Sequence, residues 1–215
     1  MLALGGRAAA EAVATSYAAT RDPAARRRLA TVAVRLSNPL AGYATRIIRD
    51  MPSDDAIATI DLLAAAPCKA TIGAIGKALD HLDPVVRTYA VQALCDCTEP
   101  EAQRLVIKCM DHWDPATRRV AAAELGNHHV EEAVEPLVKV LWKQEMFERN
   151  YELRKQCIES LVQIRSPRAL TGLRRVASWR FVVDRRAREL KFLAGQAVAE
   201  LEAEQGSQHE REART

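Results

Sequence analysis

The pattern Asp-Pro-x-x-Arg recurs along this chain of 215 residues, and its spacing is regular. Asp83-Pro84-Val85-Val86-Arg87 and Asp114-Pro115-Ala116-Thr117-Arg118 lie 31 residues apart, and Asp22-Pro23-Ala24-Ala25-Arg26 stands 61 residues before the first of them. A period of about 30 residues, helical in pattern throughout, predicts a solenoid of stacked helix pairs. Aspartate can cap free backbone N–H groups, and proline at the first helical position gives up no hydrogen bond. Each Asp-Pro therefore marks the start of the first helix of a pair, called A here, with B the second.

The A/B pairs fall at about 23–36 and 39–50, 54–65 and 68–80, 84–96 and 100–111, 115–125 and 131–142, and 151–164 and 167–178. Asn38-Pro39 is expected to open the first B helix, Ser53 to cap the second A helix, and Gly126 to stop the fourth. Val86, Tyr89, Ala90, Ala93 and Leu94 follow the i, i+3, i+4 rule of a buried helical face. A last helix at about 186–204 reads as a terminal cap, and residues 206–215 as a disordered polar tail. Residues 1–205 then form a single repeat domain, in which segment 4–19 is half a repeat or a cap. The spacing lengthens near Lys143 to Asn150 and again near Arg180 to Ala187, as if these were two copies of a longer repeat.

Hydrophobic residues make up 48% of the chain but aromatic ones only 5%, as suits Ala-, Leu- and Val-packed helices. The net charge of +3 hides an alternation: residues 1–50 carry +5, 51–164 carry −6, 165–193 carry +7 and 194–215 carry −3. A general nucleic-acid binder would show one strong basic face instead. Five cysteines with no CxxC spacing read as small buried hydrophobes of a reducing, cytoplasmic compartment. No apolar run is long enough to span a membrane, and the first 20 residues lack the build of a secretory signal.

Asp83-Pro84-Val85-Val86-Arg87 with Tyr89-Ala90-Val91-Gln92-Ala93-Leu94, and Glu131 to Leu141, resemble HEAT repeats, most closely the bacterial type first described in phycobilin lyases. The resemblance covers roughly residues 20–204 and implies an all-α, right-handed α-solenoid of about five HEAT-like pairs plus a C-terminal capping helix. It also implies that the B helices line the concave side. The repeat arginine commonly joins an aspartate of its own or a neighbouring repeat, so Arg26, Arg87, Arg118 and Arg154, with Lys191 after them, are expected to form a structural ladder. Repeat two departs from the pattern, with Ile57 where the arginine should stand.

A second series, Arg46, Lys77, Lys108 and Lys139, steps by 31 and continues at Arg175 after the long repeat. In the third B helix Leu105, Val106 and Cys109 take the core face, which leaves Lys108 to its side, exposed. At roughly 10 Å per helix layer, five such cations span about 40 Å. They are candidate contacts to an acidic protein surface or a nucleic-acid backbone, with a solvated charge as the plain alternative. Trp142 and Trp179, with Phe147 and Phe181, belong to the lengthened loops, where they either anchor a partner or pack locally. Trp113 precedes an Asp cap and is expected in the core.

His81 and His112 are a repeat pair, and His128-His129 lacks the neighbours of a zinc site, so no metal and no cofactor is expected. HEAT-like metal hydroxylases carry repeated His-Glu pairs, whereas here the dipeptide occurs only at His209-Glu210. No phosphate loop, GxSxG or HExxH appears. The sequence thus reads as a scaffold or adaptor without enzyme activity, binding another protein through its B-helix face, within a larger assembly. The alternatives are nucleic-acid binding of the alkylpurine-glycosylase kind and a phycobilin-lyase-type subunit.

Overall fold

The computed structural model describes residues 2–142, 150–180 and 184–212; Phe147 and Phe181, with most of the first lengthened stretch, lie outside them. All regular structure among the described residues is helical. The fold is an all-α solenoid of paired helices, as the repeat predicts. Its residues divide into two compact units, Met1–Val106 and Ile107–Thr215.

The first unit holds α1 (Leu2–Ala19), α2 (Pro23–Arg35), α3 (Ser37–Ile47), α4 (Ser53–Ala64), α5 (Lys69–Ala78), α6 (Pro84–Cys95) and most of α7 (Pro100–Lys108). A helices pack on A helices, α4 against α6, while B helices pack on B helices, α3 against α5. The helix α1 closes this unit by lying on α3 and α4 through Ala10, Ala14 and Tyr17. Asp22 and Asp83 cap α2 and α6: the Asp22 carboxylate accepts from Ala24 and Ala25 N–H at 3.1 Å, and the Asp83 carboxylate from Val85 N–H at 2.8 Å. The start of α3 differs from expectation. It begins at Ser37, so Pro39 lies in its first turn, where a missing N–H costs nothing. Ser53 is the first helical residue of α4 rather than its cap; its hydroxyl donates to the Asp83 carboxylate and ties α4 to the start of α6.

The second unit continues with a 3-10 turn at Cys109–Asp111, α8 (Pro115–Asn127), a 3-10 turn at Glu131–Ala133, α9 (Val134–Trp142), α10 (Tyr151–Ile164), α11 (Ala169–Ala177) and α12 (Arg185–Glu212). The layers repeat: α8, α10 and α12 pack in succession, and α9 lies on α11. Gly126 does not stop α8. It lies within the helix, and a Cβ there would stand 2.7 Å from Ser160 Cα, so α10 passes too close for any side chain. The Ser160 hydroxyl uses the same approach to reach Ala122 O at 2.8 Å. The turn beyond is made by His129, at φ 51°. Asp184 caps α12 through Arg186 and Ala187 N–H. That helix runs on to Glu212, so the tail expected to be disordered from 206 is helical as far as 212; glutamate, glutamine and arginine are good helix formers, and one glycine does not end the run.

Cys95, Cys97, Cys109 and Cys157 are buried, as expected of small hydrophobes, but Cys68 is only half-buried, at the start of α5. Burial pushes its thiol up, yet hydrogen bonds from the Thr71 hydroxyl, the Thr71 and Ala70 N–H groups and the Ser37 hydroxyl outweigh burial and hold it below the ordinary range. Burial pushes the Cys157 thiol well up.

Candidate partner-binding site

The arginine ladder ties helix starts to the chain that precedes them. Backbone carbonyls are among its partners. Arg87, 4% exposed, donates to His81 O at 2.7 Å and to Leu82 O at 2.8 Å. Arg26 reaches back the same six residues, to Thr20 O at 3.0 Å. In the longer repeats the reach grows: buried Arg154 donates to Leu141 O, and Lys191 to Trp179 O at 2.8 Å. Arg118 instead donates to the Asn150 side chain at 3.3 Å. The guanidinium thus meets carbonyls left open beyond the preceding helix.

Repeat two shows how the ladder is completed without its arginine. Where Ile57 replaces it, Met51 O is met from the next repeat by His81 Nε2 at 2.9 Å. Asp83 N–H donates to His81 Nδ1 at 3.0 Å, which leaves the Nε2–H to donate to Met51 O. His112 Nδ1 takes the same bond from Asp114 N–H at 3.1 Å. With the histidine turned inward, the next residue of the extended segment faces outward. Trp113 is therefore 69% exposed and Leu82 85% exposed, so the expected core position of Trp113 is corrected; its ring meets the His112 ring at 5.2 Å.

The cationic series lies on the exposed sides of the B helices, with Arg46 on α3, Lys77 on α5, Lys108 on α7, Lys139 on α9 and Arg175 on α11. Arg46 folds back on Gly42 O of its own helix at 2.9 Å. In the second unit, three members meet around one feature. Lys108, Lys139 and Trp142 line a groove of about 490 Å³ between the end of α7 and α9, and the Arg175 guanidinium lies 4.6 Å from the centre of the Trp142 ring. The groove floor is apolar, made by Ile107, Met110, Pro136, Val138 and Val140. Asp111 and Glu135 also line it, and Glu135 is paired with Arg168 at 3.4 Å.

For Trp179 the expectation is either an anchor for a partner or local packing. It is half-buried with the Arg154 guanidinium 5.0 Å from its ring, so it packs on the ladder. The apolar floor was missed in the sequence, although Ile107-Lys108 and Val138-Lys139 are the same two-residue unit 31 apart. That repetition of an apolar residue beside the cation was the available signal.

Residues 103–190 match the family of HEAT repeats. The chain contains HEAT repeats. No curated protein sequence matches it. Among solved structures it is similar to human deoxyhypusine hydroxylase, at 15% identity over 91% of this chain and 98% of that one, TM-score 0.49. It is similar also to an engineered protein, at 16% identity over 90% and 96%, TM-score 0.43. A third is the complex of CpcE and CpcF of phycocyanin lyase from Nostoc sp. PCC7120, at 16% identity over 87% and 98%, TM-score 0.35. A hydroxylase and a lyase among these similar structures correct the expectation that this chain is not an enzyme; that exclusion is withdrawn. Among the described residues no helix is long and apolar enough to cross a membrane, and no cluster of three His, Cys, Asp or Glu could hold a metal ion.

Proposed function

We propose that this HEAT-repeat chain is a scaffold or adaptor that holds a protein partner on the B-helix side of its second unit. The observation that carries the reading is the apolar groove with Trp142 at its edge and three exposed cations, Lys108, Lys139 and Arg175, around it. A half-exposed tryptophan under an arginine, set in an apolar patch with a charged rim, has the make-up of an interface hot spot. Rigid neighbouring repeats hold such a patch in shape, so binding costs little ordering of the scaffold.

The test is site-directed cross-linking. A photo-reactive residue at Ile107 and another at the exposed Arg119 of α8, which does not line the groove, are compared in nuclease-treated extract. A protein cross-linked from 107 and not from 119, and lost when Lys108, Lys139 and Arg175 are changed to glutamate, bears the reading out. Equal cross-linking from both positions, or none from 107, removes it.

A further inference from the structure

We infer that the occupant of this groove is a short acidic segment of a protein, carrying one large aliphatic or aromatic side chain as its anchor. The inference rests on the reading of the groove as a protein-binding site and adds the chemistry of what binds.

Size sets the first limit. About 490 Å³ falls within the range of small, well-formed pockets and is filled by a few side chains, so an extended segment or a single helix edge fits better than a broad domain face. The floor sets the second. Ile107, Met110, Pro136, Val138 and Val140 offer carbon to the occupant, and an apolar side chain buried there gains from leaving water. A phosphate backbone would gain nothing from such a floor, which is the reason to prefer a peptide to a nucleic acid.

Charge sets the third. Glu135 is held by Arg168, which also lies 3.8 Å from Glu131, itself bonded by the Ser166 hydroxyl at 2.6 Å. Arg174 is taken by Glu202 at 2.6 Å. Against Asp111 stand Lys108, Lys139 and Arg175, all exposed, and the Arg175 guanidinium is kept in place by stacking on Trp142 rather than by a carboxylate. Among the described residues the balance is positive, so carboxylates on the occupant gain and lysines or arginines lose. The Arg175 fork, spread on the indole, is also preorganised for a carboxylate in two-point contact.

The experiment is peptide selection on the full chain. A displayed random peptide library is panned on wild type, on Lys108→Glu/Lys139→Glu/Arg175→Glu, and on Trp142→Ala, each checked for fold by circular dichroism. Selected peptides are then measured by fluorescence anisotropy at moderate and high salt, beside a thymidine oligonucleotide. Wild type is expected to select acidic peptides with one large apolar residue. Charge reversal should weaken them by about tenfold or more, and Trp142→Ala should abolish the preference for the apolar anchor. Selection of basic or neutral peptides, acidic peptides insensitive to both variants, or salt-sensitive retention of the oligonucleotide in their place overturns the inference. If no peptide is selected while Ile107 still cross-links a protein, this inference falls and the protein-binding reading stands. If neither occurs, both fall.

Discussion

At the scale of the residue, the most informative side chain is His81. It replaces, from the following repeat, the arginine that repeat two lacks, and its Nε2–H is the donor that meets Met51 O. His81→Ala should cost about 2 kcal/mol, the penalty of leaving a buried acceptor without a partner. Adding Ile57→Arg to that variant should recover part of the loss, because Arg87 satisfies the carbonyls at the same place in its own repeat. Urea denaturation of the single and double variants measures both effects; no recovery would show that the two devices are not equivalent. Tyr89 makes a second prediction. Burial, the hydrogen bond it donates to Asp61 and the charge of that carboxylate push its phenol up to about 12. An unfolded tyrosine titrates near 10. Its contribution is therefore whole below about pH 10 and is lost as pH rises toward 12. Tyr89→Phe should flatten part of the alkaline fall in the urea midpoint, while Tyr151, bonded to Glu189 and pushed up to about 12, supplies another part. Neither histidine-for-arginine replacement nor the Tyr89–Asp61 pair can be read from one repeat alone, since each joins residues some 28 to 30 positions apart.

At the scale of the element, helix starts were legible because aspartate before proline does two local jobs at once, and the structure has Asp22, Asp83 and Asp114 doing both. Helix sides were legible too: the period that buries Val106 and Cys109 exposes Lys108. What failed were positions where one residue type serves two purposes. Gly126 has the identity of a helix stop, yet it is needed for the close passage of α8 and α10, which only the neighbouring helix dictates. Trp113 has the identity of a core residue, yet the inward turn of His112 sends it out. The groove floor was hidden because its residues come from two helices, and each strip taken singly looks like ordinary packing. Glycine tests the distinction directly. Gly126→Ala forces a methyl onto the Ser160 backbone and should destabilise by about 1–3 kcal/mol. Gly73→Ala, in α5 with nothing within 4 Å of the new carbon, should stabilise by about 0.5–1 kcal/mol. Thermal melts of the two variants, moving in opposite directions, would establish that packing and not propensity places Gly126.

At the scale of the whole molecule, a stack in which each helix leans on its sequence neighbours need not open all at once. Its layers, α4 on α6 and α8 on α10 on α12, make stability a chain of local contacts. The thiols turn that property into a clock. Cys68, in the first unit, is half-exposed and more readily ionised than an ordinary cysteine, while Cys157, in α10, is fully enclosed and resists ionisation. A pulse of maleimide should therefore mark Cys68 at once and Cys157 only as often as its surroundings part. Gly126→Ala should hasten the marking of Cys157 and leave that of Cys68 unchanged, a result that peptide mass spectrometry reads directly. Equal acceleration at both would mean that the stack opens as one. The molecule thus carries, without any label being engineered into it, a timer at one site and a reference pulse at another.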